Sequence, residues 1–326
     1  MDEAARDVRP LRETYRDVLQ KAPYCAIIMA TMTSDTAMPD PDMFIALRPR
    51  LFSIAYRMLG TRADADDVLQ DAWLRWHGTD QSTLQSAEAW LVTVVTRLSI
   101  DRLRAVKIER ESYVGWWLPE PLVEVDERTP ETVAEMASDL SVAFLWALER
   151  LSADERAAFL LREVFDHDYD EMAALLNKSK DACRQMVHRA SRRVQQEHRR
   201  FDVSKDAHRG LLEKFMAAAR SGERSAIVAL LADDVKVFGD GGGKVPTFHG
   251  IWSGADRIAN LYWAMWKRLG NQVEYRMVQI NGEPGLLRYV DGRIESAQAF
   301  VTDGQHIVEI YTVRNPDKLA GIAQFL

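Results

Sequence analysis

Cysteine is nearly missing from this chain. Two of its 326 residues are cysteine, Cys25 and Cys183, far apart and without metal-ligand spacing. That excludes a disulfide framework and a cysteine-built zinc site, and it fits a reducing, cytoplasmic setting. Long apolar runs are missing too. The longest near the start, residues 22–33, is too short to span a bilayer, and the mixed charges upstream make a poor signal peptide. No membrane partner is expected. An excess of positive charge is also absent: 42 Lys and Arg stand against 49 Asp and Glu, a net of −7. A protein that coats nucleic acid indiscriminately is excluded, whereas a basic patch on an acidic body is not. Nothing in the spacing calls for a cofactor or a metal.

The most informative stretch is residues 168–200. Met172, Ala173, Leu175 and Leu176 give a short helix an apolar face. Asn177-Lys178 breaks the pattern, and Ser179 is suited to cap a second helix, because its hydroxyl accepts an orphan backbone N–H. Ala182, Met186, Val187, Ala190 and Val194 then recur at helical spacing, while Lys180, Arg184, Gln185, His188, Arg189, Arg192 and Arg193 fall mostly on other faces. A short helix, a tight turn and a longer basic helix form the helix-turn-helix pattern, whose second helix reads the major groove. From Lys178 to Arg200 eight Lys/Arg face two acids, so this segment is locally +6. The plainer alternative is a solvated basic helix on an ordinary bundle.

The remaining chain divides by composition. Residues 1–40 carry one helical pattern and a loose tail, readable either as an upstream extension or as a genuine extra helix. Residues 42–110 are expected to be all-helical, with Pro49 kinking the first helix or restarting it. Asp64, Asp66, Asp67, Gln70 and Asp71 share the polar side of its second helix, and Arg97, Arg102, Arg104 and Lys107 lie on its third. Residues 111–138 read as a linker, yet they contain Trp116 and Trp117, which call for a surface to dock on. Residues 139–200 hold the helix-turn-helix and its support, with Ser152 and Glu155 placed for a capping box. Residues 206–326 switch to helices followed by alternating strands, punctuated by Gly282–Gly285, Asp291-Gly292 and Asp303-Gly304; an α+β cone with a curved antiparallel sheet is expected.

Residues 63–76, 90–104 and 151–194, in this order, resemble the extracytoplasmic-function sigma factors of bacterial RNA polymerase. The C-terminal part resembles a subgroup carrying a fused SnoaL-like domain. Three pentapeptides carry that likeness: Trp117-Leu118-Pro119-Glu120-Pro121, Asp240-Gly241-Gly242-Gly243-Lys244 and Asn315-Pro316-Asp317-Lys318-Leu319. Lys180-Asp181 departs from the small or acidic residues commoner at that point, which leaves the promoter sequence open. The resemblance implies two partners, core RNA polymerase and promoter DNA. It implies that Asp64, Asp66, Asp67, Gln70 and Asp71 dock on the polymerase clamp. Arg97, Arg102 and Arg104 then face the minus-ten element, with a flipped base read in the loop 76–86. Lys180, Arg184 and Gln185 read the minus-thirty-five element, while His188, Arg189, Arg192 and Arg193 lie along the same DNA. The three pentapeptides form an interdomain regulatory contact, in which the glycine-rich loop lets backbone approach the Trp-Pro segment. The protein is expected not to be an enzyme. A rival reading keeps a small-molecule enzyme or ligand sensor in the C-terminal domain, with Asp240, His249 and His306 as acid–base candidates and a small molecule in its pocket. A further rival is a plain helix-turn-helix repressor.

Overall fold

The computed structural model describes residues 41–124, 140–197, 201–248 and 250–322. The leader 1–40 lies outside these residues.

Three helices open the described chain: α1 (Pro41–Leu59), α2 (Arg62–His77) and α3 (Ala87–Glu111). Pro49 does not restart α1, which is one continuous helix through it. Burial of Phe44 before it and of Leu51 and Ile54 after it outweighs the lost backbone bond. Gly60 ends α1 in the left-handed region, at φ +73°. Thr61 then caps α2 by accepting the Asp64 N–H at 3.3 Å.

The second helical group is α4 (Val142–Leu148), α5 (Ala153–Glu163), α6 (Tyr169–Leu176) and α7 (Lys180–Glu197). The capping box of Ser152 and Glu155 is present in both directions, and Asp168 and Glu171 form a second one. Asn177, at φ +52°, turns the chain, and the Ser179 hydroxyl accepts the Ala182 N–H at 3.2 Å. The expected helix-turn-helix is therefore in place. The two helical groups do not have separate interiors. A single apolar core runs from Phe44 and Leu51 through Leu91 and Val95 to Phe159, Met172 and Val194.

The C-terminal domain contains α8 (Lys205–Ser221), α9 (Arg224–Leu230) and α10 (Ala255–Leu269). Its strands are β2 (Leu231–Asp240), β3 (Trp252–Ser253), β4 (Val273–Ile280), β5 (Glu283–Val290), β6 (Arg293–Thr302) and β7 (Ile307–Val313). The chain's first strand, β1 (Val123–Glu124), comes from the linker and joins the same sheet, whose order is β1-β4-β5-β6-β7-β2-β3. Side-chain alternation sorts the sheet into two faces. Val237, Leu286 and Ile310 pack with Phe215 and Tyr262 of the helices. Phe238, Leu287 and Tyr311 pack with Leu118 of the linker and with Val142 and Trp146 of α4. The sheet is thus covered on one side by its own helices and on the other by the linker and the second helical group.

The structure corrects three expectations. The sheet is not wholly antiparallel, because β2 runs parallel to β7. The expected turn at Gly282–Gly285 is a two-residue turn at Asn281-Gly282, with φ of +55° and +80°, and Glu283 already belongs to β5. Pro284 is tolerated there because β6 joins β5 only from Gly285 onward. The linker does more than dock: Val123 pairs with Ile280 on the sheet edge.

A Cβ on Gly60 would lie 2.7 Å from the Trp117 ring, at a φ that suits glycine. Gly60→Ala should therefore destabilise the chain by about 1–3 kcal/mol. The urea midpoint measures the loss, and the shift in tryptophan emission reports the displaced ring.

Candidate nucleic-acid interface and interdomain lock

Helix α7 buries Cys183, Met186, Val187, Ala190 and Val194, so its polar face is turned outward. Cys183 is fully buried and serves packing. Arg184, Gln185, His188 and Arg192 are exposed, and Lys180 is half-buried. Lys180 pairs with Asp170 at 2.6 Å and Arg184 with Asp181 at 2.9 Å. Both pairs are water-exposed and contribute little, so an incoming phosphate or base edge displaces them readily. Arg189 and Arg193 lie against Glu155 of α5, at 3.3 and 2.9 Å. All seven residues named from the sequence on this helix therefore share its outer side.

Arg97, Arg102 and Arg104 of α3 are exposed but engaged by partners within the chain. Arg97 donates to the Leu175 and Ala174 carbonyls at 3.0 and 3.2 Å, which are orphan acceptors in the last turn of α6. Arg102 holds Asp64, with its Nε at 2.8 Å, and Arg104 donates to Asp154 at 2.6 Å. Trp90 is half-buried against Trp76, with ring centroids 5.7 Å apart.

The acidic face of α2 is narrower than its composition suggests. Asp64 is held by Arg102 and by the Thr61 hydroxyl, and Asp66 pairs with Arg48 at 2.9 Å. Asp67, Gln70 and Asp71 stay exposed, and Leu74 joins them one turn on, 55% exposed. Leu74 was missed in the sequence because its position fits a buried stripe as well as an exposed anchor.

The three pentapeptides meet. Asp240, fully buried, accepts hydrogen bonds from the Tyr113 hydroxyl (2.6 Å), the Leu118 N–H (3.0 Å), the Gly242 N–H (3.0 Å) and Lys318 Nζ (2.7 Å). Burial, and then the Asp240 carboxylate, push the Tyr113 hydroxyl far above the usual tyrosine range, so it stays a donor. Burial lowers Lys318, against the opposing pull of Asp240. Lys318 also donates to the Leu118 carbonyl. Asn315 donates to the Tyr113 hydroxyl at 2.8 Å and caps the short helix α11 (Pro316–Leu319). Leu319 is buried beside Leu118. Lys244 pairs with Asp317 on the outer side.

The loop meets the Trp-Pro segment through Asp240, while the nearest neighbours of its glycines lie elsewhere. Gly242 leaves room for Asn315, and Gly243 lies against Val114. Gly60 is the glycine that admits Trp117. Pro119 and Pro121 are buried, and Glu120 ties back to the first helices: its N–H donates to the Gly60 carbonyl at 2.8 Å, and its carboxylate accepts the Arg62 N–H at 2.9 Å. Asn281 was not foreseen. Its side chain donates to the Tyr56 hydroxyl at 2.8 Å and accepts the Leu122 N–H at 3.1 Å, and Tyr56 donates to the Glu120 carbonyl at 2.5 Å.

Asp240 and His306 do not form an acid–base pair. Asp240 aligns with Val313 at one end of the β2–β7 pairing, while Ile307 aligns with Leu231 at the other. Seven residues of chain, His306 to Val313, separate them along β7, roughly 20 Å. His249 lies outside the described residues. A cleft of about 210 Å³ lined by Arg220, Trp266 and Tyr275 sits elsewhere on the domain. No described helix is long and apolar enough to cross a membrane.

Residues 43–107 match Sigma-70 region 2, and residues 141–194 match Sigma-70 region 4. The ECF RNA polymerase sigma factor SigJ of Mycobacterium tuberculosis is 37% identical over 290 residues, which cover 85% of this chain and 92% of that protein. The chain belongs to the extracytoplasmic-function sigma factors. A crystal structure of the Mycobacterium tuberculosis sigma factor SigJ matches with a TM-score of 0.71 at 35% identity, covering 86% of this chain and 98% of that one. A probable ECF sigma factor SigI from the same species is 25% identical over 278 residues, covering 84% and 92%. In this family frame α1–α3 are region 2, α4–α7 are region 4, and an α+β domain follows them.

Two outcomes follow. Arg184→Ala should weaken binding by about 1–3 kcal/mol at one base position, whereas Arg192→Ala should weaken all sequences alike and lower the salt slope by about one; promoter-variant titrations separate them. Glu149, buried between regions 2 and 4, accepts from Arg110 and Arg156, each at 2.6 Å. Burial raises its carboxyl, but the two arginines prevail and hold it below the usual range. Its contribution to stability is therefore full above the ordinary carboxylate range and fades as pH falls below it. Glu149→Gln should flatten this acid limb in urea titrations run at stepped pH.

Proposed function

We propose that this sigma factor directs core RNA polymerase to its promoters while its own C-terminal cone holds the linker and thereby sets the relative placement of regions 2 and 4. The carrying observation is Asp240. One buried carboxylate gathers the end of region 2 (Tyr113), the linker (Leu118) and the C-terminal tail (Lys318). Region 4 is drawn into the same arrangement, because Trp146 packs on Phe238 and Trp116, with centroids 5.7 and 5.3 Å apart. The exposed face of Asp67, Gln70, Asp71 and Leu74 offers the polymerase an apolar anchor within an acidic frame, which suits a basic partner helix. Lys180, Arg184 and Gln185 are placed to meet base edges of the minus-thirty-five element, with His188, Arg189, Arg192 and Arg193 running along its backbone.

The cone acts here as a built-in regulator, in the place of a separate inhibitory partner. Asp240→Asn leaves the buried Lys318 without its counter-charge and should cost about 3–5 kcal/mol in urea unfolding. In vitro transcription with chains cut after Arg200 and after Asn315 should differ from the full-length chain, the second cut because it removes Lys318. Identical promoter output from all three chains would leave the cone with no regulatory part.

A further inference from the structure

The space beneath the helices of the cone is filled by side chains. Phe215 packs edge-on against Tyr262 and Phe300, with centroids 4.9 and 5.5 Å apart, and Leu286 and Ile310 are fully buried in the same cluster. Open space lies instead at the rim, where the ends of α8 and α10 meet the start of β4, as a cleft of about 210 Å³. The linker strand pairs at the other end of β4, at Ile280, seven residues from Val273 and roughly 23 Å away. The cleft shares no residue with the contact gathered by Asp240.

Three kinds of group line it. Ala219, Val273 and Tyr275 supply an apolar floor. Trp266 supplies an aromatic side. Helix α8 ends at Gly222, φ +70°, where a Cβ would collide with the Trp266 ring, so the indole is seated against bare backbone while 38% of the residue stays exposed. Arg220 supplies charge. One of its Nη atoms donates to the Tyr275 carbonyl, which holds the guanidinium at the edge of β4, and no carboxylate among the described residues pairs with it. Its other N–H groups form the planar fork that matches a carboxylate.

Charge decides the sign of the guest. Arg220, Lys267 and Arg268 stand in the last turns of α8 and α10. The carbonyl ends of the two helices oppose an anion by about half a charge each, but the Gly222 and Gly270 N–H groups already cap the Ala218 and Trp266 carbonyls. Of the acids flanking these ends, Glu223 is exposed, and Glu274 lies on the opposite face of β4 from Tyr275. Three cations against one acid favour an anion. Size decides the rest. A cavity of about 150 Å³ accepts benzene, so the larger cleft takes one ring with a short acidic arm. We propose that the rim of the cone is a binding site for a small aromatic carboxylate, with its ring against Trp266 and its carboxylate on Arg220.

The test uses the full-length chain and three probes that share one ring: phenylacetate, neutral phenylacetamide and the benzylammonium cation. Binding is read by titration calorimetry and by ligand-observed NMR. Phenylacetate should bind with a Kd on the order of 0.1–1 mM, and phenylacetamide about 10-fold more weakly. Arg220→Gln should bring the two affinities together. Trp266→Ala should weaken both by about 10-fold, and Trp266→Phe should recover most of that loss. Three results overturn the site: no saturable phenylacetate binding up to about 10 mM, equal or tighter binding of the amide or the ammonium, or phenylacetate affinity unchanged in both Arg220→Gln and Trp266→Ala. The three-probe comparison on the unaltered chain decides the matter even where a variant fails to fold. Core polymerase takes no part in it, so the sigma reading stands or falls separately.

Discussion

Trp117 lies between two cations, with Arg110 of region 2 at 3.8 Å from its ring and Lys318 of the C-terminal tail at 3.9 Å. Two positive charges on one indole are stable only if each has its own counter-charge close by. Glu149 supplies it for Arg110, and Asp240 supplies it for Lys318. The ring therefore couples two buried ion pairs, one holding region 2 to region 4 and one holding the linker to the cone. Gly60 makes the approach possible, and the C-terminal carbonyls of α1 complete the arrangement: Arg110 donates to Leu59 and Arg156 to Met58. Loss of any one charge strands another in a place poor in water, which is the costly way to break such pairs.

Magnitudes separate what holds from what opens. The Asp240 and Glu149 pairs are buried and saturated with hydrogen bonds, so breaking either leaves an uncompensated charge. The pairs on the cations proposed to face DNA differ in kind. Arg104, Arg184, Arg189 and Arg193 are each about half exposed, so phosphate competes for them at little cost. Region 2, the linker and the cone are joined by the strong set, through Asp240, Glu120, Tyr56 and Asn281. Region 4 reaches region 2 partly through the weak set, but also through Glu149 and the common apolar core. Region 4 is thus a body whose displacement would ask for a large compensating surface.

The helical parts were legible in the sequence because local chemistry decides them. Ser152 with Glu155, and Asn177-Lys178 before Ser179, write helix boundaries within a few residues of chain, and the structure keeps both. The meeting of the pentapeptides was legible through resemblance alone. No periodicity places Asp240 beside Leu118, because 122 residues separate them. Tyr113, Glu149 and Asn281 were not legible, since each works through one long-range hydrogen-bonding geometry and leaves no local pattern. Asn281 carried half a signal: an Asn-Gly pair marks a tight hairpin, but the turn was assigned to the residues after it. The resemblance put Asp64 and Asp66 on the docking face with Asp67, Gln70 and Asp71; in this structure Arg102 and Arg48 pair with the first two within region 2.

The linker's last described residues show how the cone fixes the path of the chain before region 4. An exposed sheet edge is a template for an added strand, and β4 would present such an edge to solvent. Val123 and Glu124 occupy it, in register with Ile280 and Gln279, and Asn281 closes the end by exchanging hydrogen bonds with Leu122. Backbone pairing is indifferent to side chains, so it fixes where the linker leaves the cone without constraining its sequence. The same Asn281 side chain holds Tyr56 of region 2. The point at which the chain departs toward region 4 is therefore set by the sheet and by region 2 together. Any change in the cone that shifts β4 moves that departure point.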